Sequence, residues 1–188
     1  MMSFLRQTLA AVRILLVMTV LLGIGYPLVV TLAAQAMPAQ ANGSLIVADG
    51  RVVGSSLIGQ SFTGAQWFWS RPSASDYAGT NSGGSNLSPA SSAQQEARAA
   101  RQQALIAANP DAVGPVPEDA LTASASGLDP HISVAYARWQ VPRVATARGV
   151  DPTVLDKLIA AATEPAPLGY LGQDGVNVVR LNLALEQR

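Results

Sequence analysis

The sequence predicts an α+β protein: a single N-terminal transmembrane helix followed by one extracytoplasmic domain with a small sheet and about three helices. Three observations carry this expectation. Ile14 to Ala34 is an almost purely apolar run of 21 residues. Short apolar segments flank Asp49-Gly50 as a hairpin would require. Farther on, alanine-rich runs open on Ser-Pro or Asp-Pro pairs, the grammar of helix starts.

The apolar run fixes the N-terminal layout. At about 1.5 Å per residue it spans about 31 Å, the hydrocarbon thickness of a bilayer, and it exceeds the length of a signal-peptide core. Pro27 falls toward its outer end, where a kink costs least pairing. Arg6 and Arg13 precede the run and the next basic residue is Arg51. Basic flanks stay cytoplasmic. Residues 1–13 are therefore expected inside, 14–34 in the membrane, 35–44 as a polar linker and 45–188 as the soluble domain outside.

Composition excludes several function classes. Net charge is zero and only 13% of residues are charged, so no basic stripe follows nucleic-acid phosphates. With no cysteine and one histidine, neither a disulfide framework nor a Cys- or His-based metal site is expected. The chain has one lysine, Lys157, and no G-x-x-x-x-G-K-[ST] phosphate loop.

Within the domain, Leu45–Ala48 and Arg51–Gly54 read as paired strands around the Asp49-Gly50 turn. "WFWSRP" (Trp67 to Pro72) reads as a further short strand, and "TNSGGSNLSP" (Thr80 to Pro89) as a loop. Ser88 with Pro89 is expected to open a helix that ends at Asn109, before Pro110. Asp129-Pro130 and Asp151-Pro152 are expected to open two more, with Gly149 closing the first of that pair. In that reading Ile132, Ala135 and Trp139 share a helix face, Trp139 is core, Pro142 kinks the helix, and Arg138, Arg143 and Arg148 are solvated. "GVNVVRLNLAL" (Gly175 to Leu185) alternates and reads as a strand.

"SASGLDPHIS" (Ser124 to Ser133) raises the question of catalysis, because Ser124 or Ser126, Asp129 and His131 are the residue types of a serine hydrolase. A triad draws its members from separate loops, and no G-x-S-x-G elbow is present. Asp129 as a helix cap is the stronger reading, and no catalytic residue is assigned. Asp76, Asn81 and Asn86 offer oxygen ligands for K⁺, yet Asn and Asp are also ordinary turn formers.

The stretches "GSSLIGQSF", "SRPSAS", "SGGSNLSP", "LTASASGLDPHIS", "QVPRVATARG" and "LGYLGQDGVNVVRLNLAL", in this order behind one membrane helix, resemble one family: the C chain of the potassium-transporting P-type ATPase, the KdpC family. Ala125 stands where glycine is expected, and "WFWS" is bulkier than usual. The resemblance implies a non-catalytic subunit of a high-affinity potassium uptake pump in the bacterial inner membrane. Its partners would be a potassium-translocating A subunit, an ATP-hydrolysing B subunit and a small F peptide, with membrane lipid around the anchor. For the family, a chaperone role is described that raises the B subunit's ATP affinity, so ATP binding is implied by resemblance only. The family-signature loops, Arg71, Pro72 and Ser73 with Ser82, Gly83, Gly84, Ser85 and Asn86, are the candidate nucleotide or partner contacts. An extracytoplasmic position would keep them from cytoplasmic ATP and favour a cap that assists K⁺ entry.

Overall fold

A computed structural model describes residues 2–187, so Met1 and Arg188, the outer limits of the expected N-terminal and soluble segments, lie outside the described residues. The chain divides into two compact units, Met1–Leu45 and Ile46–Arg188.

The first unit is helical: α1 (Met2–Met18), a π-helical stretch (Thr19–Gly25), α2 (Tyr26–Ala34) and a short α3 (Pro38–Ala41). Ser3–Ala34 is long and apolar enough to cross a membrane, and none of its most apolar window is buried in the protein. A soluble core helix would be covered. The π stretch sits directly before Pro27. Proline lacks the N–H that closes an α-turn, and its ring crowds the carbonyl four residues back. The Tyr26 N–H bonds instead to the Leu21 carbonyl, five residues back, which widens the helix ahead of the proline.

From Leu45 onward, β1 (Leu45–Ala48) and β2 (Arg51–Ser55) pair as the sequence predicts. Asp49 and Gly50 both have positive φ, the geometry a two-residue turn demands. Helix α4 runs Ser92–Ala108 and a short α5 Glu118–Leu121. Then come β3 (His131–Ser133), α6 (Val134–Arg148), α7 (Pro152–Ala162), β4 (Thr163–Glu164), β5 (Gly175–Asn177) and α8 (Val178–Glu186). The second sheet is antiparallel with order β3-β5-β4; Ile132 pairs with Val176, which in turn pairs with Thr163. The core gathers where α6, α7 and α8 pack on this sheet, around Phe68, Tyr136, Val144, Leu155, Ile159 and Leu181.

Several expectations are corrected. Ser88-Pro89 forms a turn, and Ser91 caps α4 by accepting a bond from the Gln94 N–H. Asp129-Pro130 does not open a helix: residues 131–133 are strand, and α6 begins at Val134 with Ser133 as its cap. Pairing of Ile132 with Val176, and the Val178 N–H donated to the Pro130 carbonyl, outcompete the local helix signal. The Ser133 hydroxyl accepts from Tyr136 N–H while donating to Asp119. Ile132 therefore belongs to the sheet, apart from the helix that carries Ala135 and Trp139. Asp151-Pro152 does open α7, Gly149 closes α6 at φ +66°, and Trp139 is buried.

The C-terminal run stays strand only to Asn177. The Asn177 side chain accepts from Arg180 N–H and starts α8, whose buried Val178, Leu181, Asn182 and Leu185 follow the spacing i, i+3, i+4, i+7.

"WFWSRP" is not a strand either. Its backbone is satisfied by side chains instead of a neighbouring strand. Asn182 accepts from Phe68 N–H and donates to Phe68 C=O, both at 2.9 Å. Gln140 does the same for Trp69, at 2.7 and 3.2 Å. Arg143, expected in solvent, is buried: it donates to the Gly64, Ala65 and Trp67 carbonyls, to Asn109 and to Gln140, with its guanidinium 4.0 Å from the Trp69 ring centre. Burial pulls its pKa down to about 10, against a smaller upward pull from Tyr136, so it remains charged at neutral pH. Arg148 stacks on Trp67 and bonds to the Gln66 carbonyl.

Candidate functional site: the stitched loops

Three signature loops meet in the second unit and exchange hydrogen bonds. The loop after Trp69 presents Arg71, Pro72 and Ser73; the glycine-rich loop presents Ser82 to Asn86; the loop before β3 presents Ser124 to His131. Ser124 N–H donates to the Pro72 carbonyl at 2.8 Å, and Gly83 N–H to the Ser126 carbonyl at 2.8 Å. The Ser82 hydroxyl reaches the same Ser126 carbonyl at 3.1 Å, and Ser73 donates to the Gly127 carbonyl at 2.7 Å. Ser85 and Asn86 are exposed beyond this contact, with Asn86 at φ +51°.

Two glycines make the close approach feasible. Gly127 has φ +68°, and a Cβ there would run into Ser75 Oγ and lie 2.7 Å from the Gly83 carbonyl. Gly59 donates its N–H to the Leu128 carbonyl at 2.7 Å, and a Cβ on it would strike the Tyr77 ring. Ala125, expected as a glycine, has no positive φ, so alanine fits without strain. Asp76 is exposed at φ +51° in the turn before Tyr77, whose hydroxyl donates to the Arg71 carbonyl at 2.9 Å. Asn81 N–H closes a turn on the Ala78 carbonyl.

A row of charges runs along one side of the loops. Arg71 lies 3.5 Å from Asp129; Asp129 lies 3.4 Å from His131 Nδ1; His131 Nε2 lies 3.1 Å from Glu164; Glu164 lies 3.0 Å from Arg180. Asp129 also accepts from His131 N–H at 2.9 Å, a local turn bond in place of the expected helix cap, while Pro130 precedes the strand. The hydrogen bond to Asp129 raises the His131 pKa, burial opposes it, and Glu164 adds to the rise. For Asp129, burial pushes upward, but the His131 bonds and the His131 and Arg71 charges outweigh it, so the net shift is downward.

No hydrolase arrangement is assembled. Both ring nitrogens of His131 face carboxylates. Ser124 is buried, and its hydroxyl is engaged with Ser126 and the Gly127 N–H. Among the described residues, no group of three or more His, Cys, Asp or Glu is placed to hold a metal ion. The loops line an open cleft of about 550 Å³ bordered by Arg71, Ser82, Ser126, Asp129 and His131.

The expected site residues Arg71, Pro72, Ser73, Ser82, Gly83 and Asp129 thus converge. Sequence reasoning missed Tyr77, Gly127, Glu164 and Arg180. Of these, only the glycine in "SASGLDP" carries a local signal, a turn requirement.

An apolar helix able to cross a membrane, followed by an α+β domain whose signature loops are bonded to one another, defines the class of a single-helix membrane protein with one folded domain. The family model described as K⁺-transporting ATPase, c chain, matches residues 8–187. Proteins bearing the name potassium-transporting ATPase KdpC subunit are similar over nearly their whole length. The one from Sorangium cellulosum is 53% identical over 180 residues, covering 94% of this chain and 95% of the relative. Those from Nitratidesulfovibrio vulgaris and Rhodospirillum rubrum are 50% and 49% identical, covering 99% and 98% of this chain and 95% and 97% of the relatives. The chain belongs to the KdpC family of potassium-transporting ATPase subunits.

Proposed function

We propose that this chain is a single-pass, non-catalytic subunit that assembles with the A, B and F chains of an ATP-driven potassium pump, and that its stitched loops form a rigid docking face outside the cytoplasm. The observation that carries this reading is how the signature loops use their polar groups. Gly83 N–H, Ser82 Oγ, Ser73 Oγ and Ser124 N–H all bond to neighbouring loop carbonyls. A phosphate cradle needs such donors free and convergent. A docking face needs them satisfied and the backbone fixed, because preorganisation reduces the entropy lost on binding.

The charges of Arg6 and Arg13 support a cytoplasmic N-terminus. That orientation separates the loops from cytoplasmic ATP, so any effect on the B subunit's ATP affinity would pass through protein contacts. Membrane lipid surrounds the helix Ser3–Ala34 in this reading. Topology decides between the two roles. The cysteine-free chain with Ala90→Cys, at an exposed position, is expected to react with a membrane-impermeant maleimide in intact cells. Reaction only after lysis would reverse the orientation and return the nucleotide role to the glycine-rich loop.

A further inference from the structure

A pocket of about 400 Å³ lies between the segment Ser61 to Pro72, helix α4 and the start of α6. Its walls include four aromatic rings, Phe62, Trp69, Tyr77 and Tyr136, and two arginines, Arg71 and Arg101; among the described residues no Asp or Glu lines it. Small-molecule sites have this size and this make-up, an apolar wall with a few placed polar groups.

Several polar groups on these walls are under-used by the protein. Tyr136 is only 2% exposed, yet its hydroxyl meets no hydrogen-bond partner among the described residues. Burial raises its pKa, so the phenol stays protonated and able to donate. Buried hydroxyls are ordinarily bonded. Arg71 is loosely held: it lies 3.4 Å from the Thr122 carbonyl and 3.5 Å from Asp129, and its Nε is buried without a partner. Arg101 donates to the Leu121 carbonyl at 2.9 Å, and among the described residues no carboxylate pairs with it.

Charge narrows the occupant. Asp129 offsets Arg71, and Arg143 behind the Trp69 ring is already engaged with carbonyls and amides. Arg101 is left with its charge unmatched, which suits a monoanion. A phosphate monoester carries about two negative charges and would overshoot. Aromatic walls favour an aromatic body, and an arginine fork matches a carboxylate.

We propose that this pocket binds a small aromatic carboxylate, its ring among Phe62, Trp69 and Tyr77 and its charge drawn to Arg101 and the Tyr136 hydroxyl. Arg71 also borders the loop cleft, so an occupant that engages it competes with Asp129 and links the pocket to the signature loops.

The test is titration calorimetry of the full chain in detergent with 2-naphthoate, with empty micelles as the blank. The native chain is expected to bind one equivalent. 2-Naphthylmethanol, which keeps the ring and lacks the charge, is expected to bind at least about tenfold more weakly. Arg101→Met keeps an apolar stem and removes the charge; it should weaken the acid about tenfold and leave the alcohol unchanged, which also reports that the pocket is folded. Tyr136→Phe removes a hydroxyl that has no protein partner, so it should weaken the acid while leaving the melting temperature unchanged or raised. No binding by the native chain, equal binding of acid and alcohol, or unchanged acid affinity in both variants overturns the proposal. Displacement of naphthoate by stoichiometric ATP gives the pocket to a nucleotide and overturns it likewise.

Discussion

Arg143 shows how one side chain can stand in for a missing strand partner. Its three guanidinium nitrogens meet three backbone carbonyls and two side-chain amides, so the segment from Gly64 to Trp69 is fixed without a sheet. Its attachment to helix α6 placed it among residues expected to be solvated, because the spacing of Arg138, Arg143 and Arg148 suggested no common face. Local sequence carries no mark of a partner about 80 positions away. Arg143→Ala would leave several buried acceptors unpaired and is expected to destabilise the domain by more than about 3 kcal/mol. Arg143→Lys supplies fewer donors without the planar fork and should recover only part of that. Thermal unfolding of the detergent-solubilised chain measures both. Asn182→Leu is expected to cost about 2–4 kcal/mol by the same logic, since Phe68 loses partners for its N–H and its carbonyl together.

Among the elements, the charge row ties the loop before β3 to strand β4 and helix α8, and it titrates. The folded-state pKa of His131 is raised above its ordinary 6.5. Its contribution is therefore complete below pH 6.5 and is lost as pH rises through the raised value. Asp129 has the opposite sign: its contribution is present above 3.8 and is lost as pH falls through the lowered folded value. The clasp is strongest between those limits. The native chain is expected to lose thermal stability as pH rises from 6.5, and His131→Gln to abolish that slope. His131 is the only histidine, so no other side chain ordinarily titrates there. A slope that survives His131→Gln would refute the assignment. A second expectation concerns loop stitching: Gly127→Ala should destabilise by about 1–3 kcal/mol from its left-handed φ alone, with the clash against Ser75 added. The element types legible in sequence were those with local causes, such as the Asp49-Gly50 turn, the Asp151 cap and the Gly149 stop. Asp129-Pro130 shows the same local signal, yet Ile132 is drawn into the sheet by Val176, a partner 44 positions away. The loops that form the site were recognisable as sequence stretches. Their mutual bonds were not, because they join residues about 40 to 55 positions apart.

At the scale of the whole molecule, anchor and domain obey different solvents. No residue before Ser56 is buried among the described residues, and every member of the apolar core lies between Phe68 and Leu185. The helix Ser3–Ala34 satisfies its backbone bonds within itself and is long and apolar enough to suit an apolar surround. The domain carries its own cooperative unit, with α6, α7 and α8 closed over the three-stranded sheet. A chain beginning at Gly43 is accordingly expected to fold without detergent and to unfold in one transition, with the same pH slope between 6.5 and the raised His131 pKa as the full chain. It should also lose membrane association, because the remaining sequence has no comparably long apolar run. Sedimentation, far-ultraviolet circular dichroism and thermal melts measure these properties. A broad, non-cooperative melt would mean that the anchor contributes to the domain's fold after all. A cooperative melt with retained membrane association would mean that the domain binds lipid by itself.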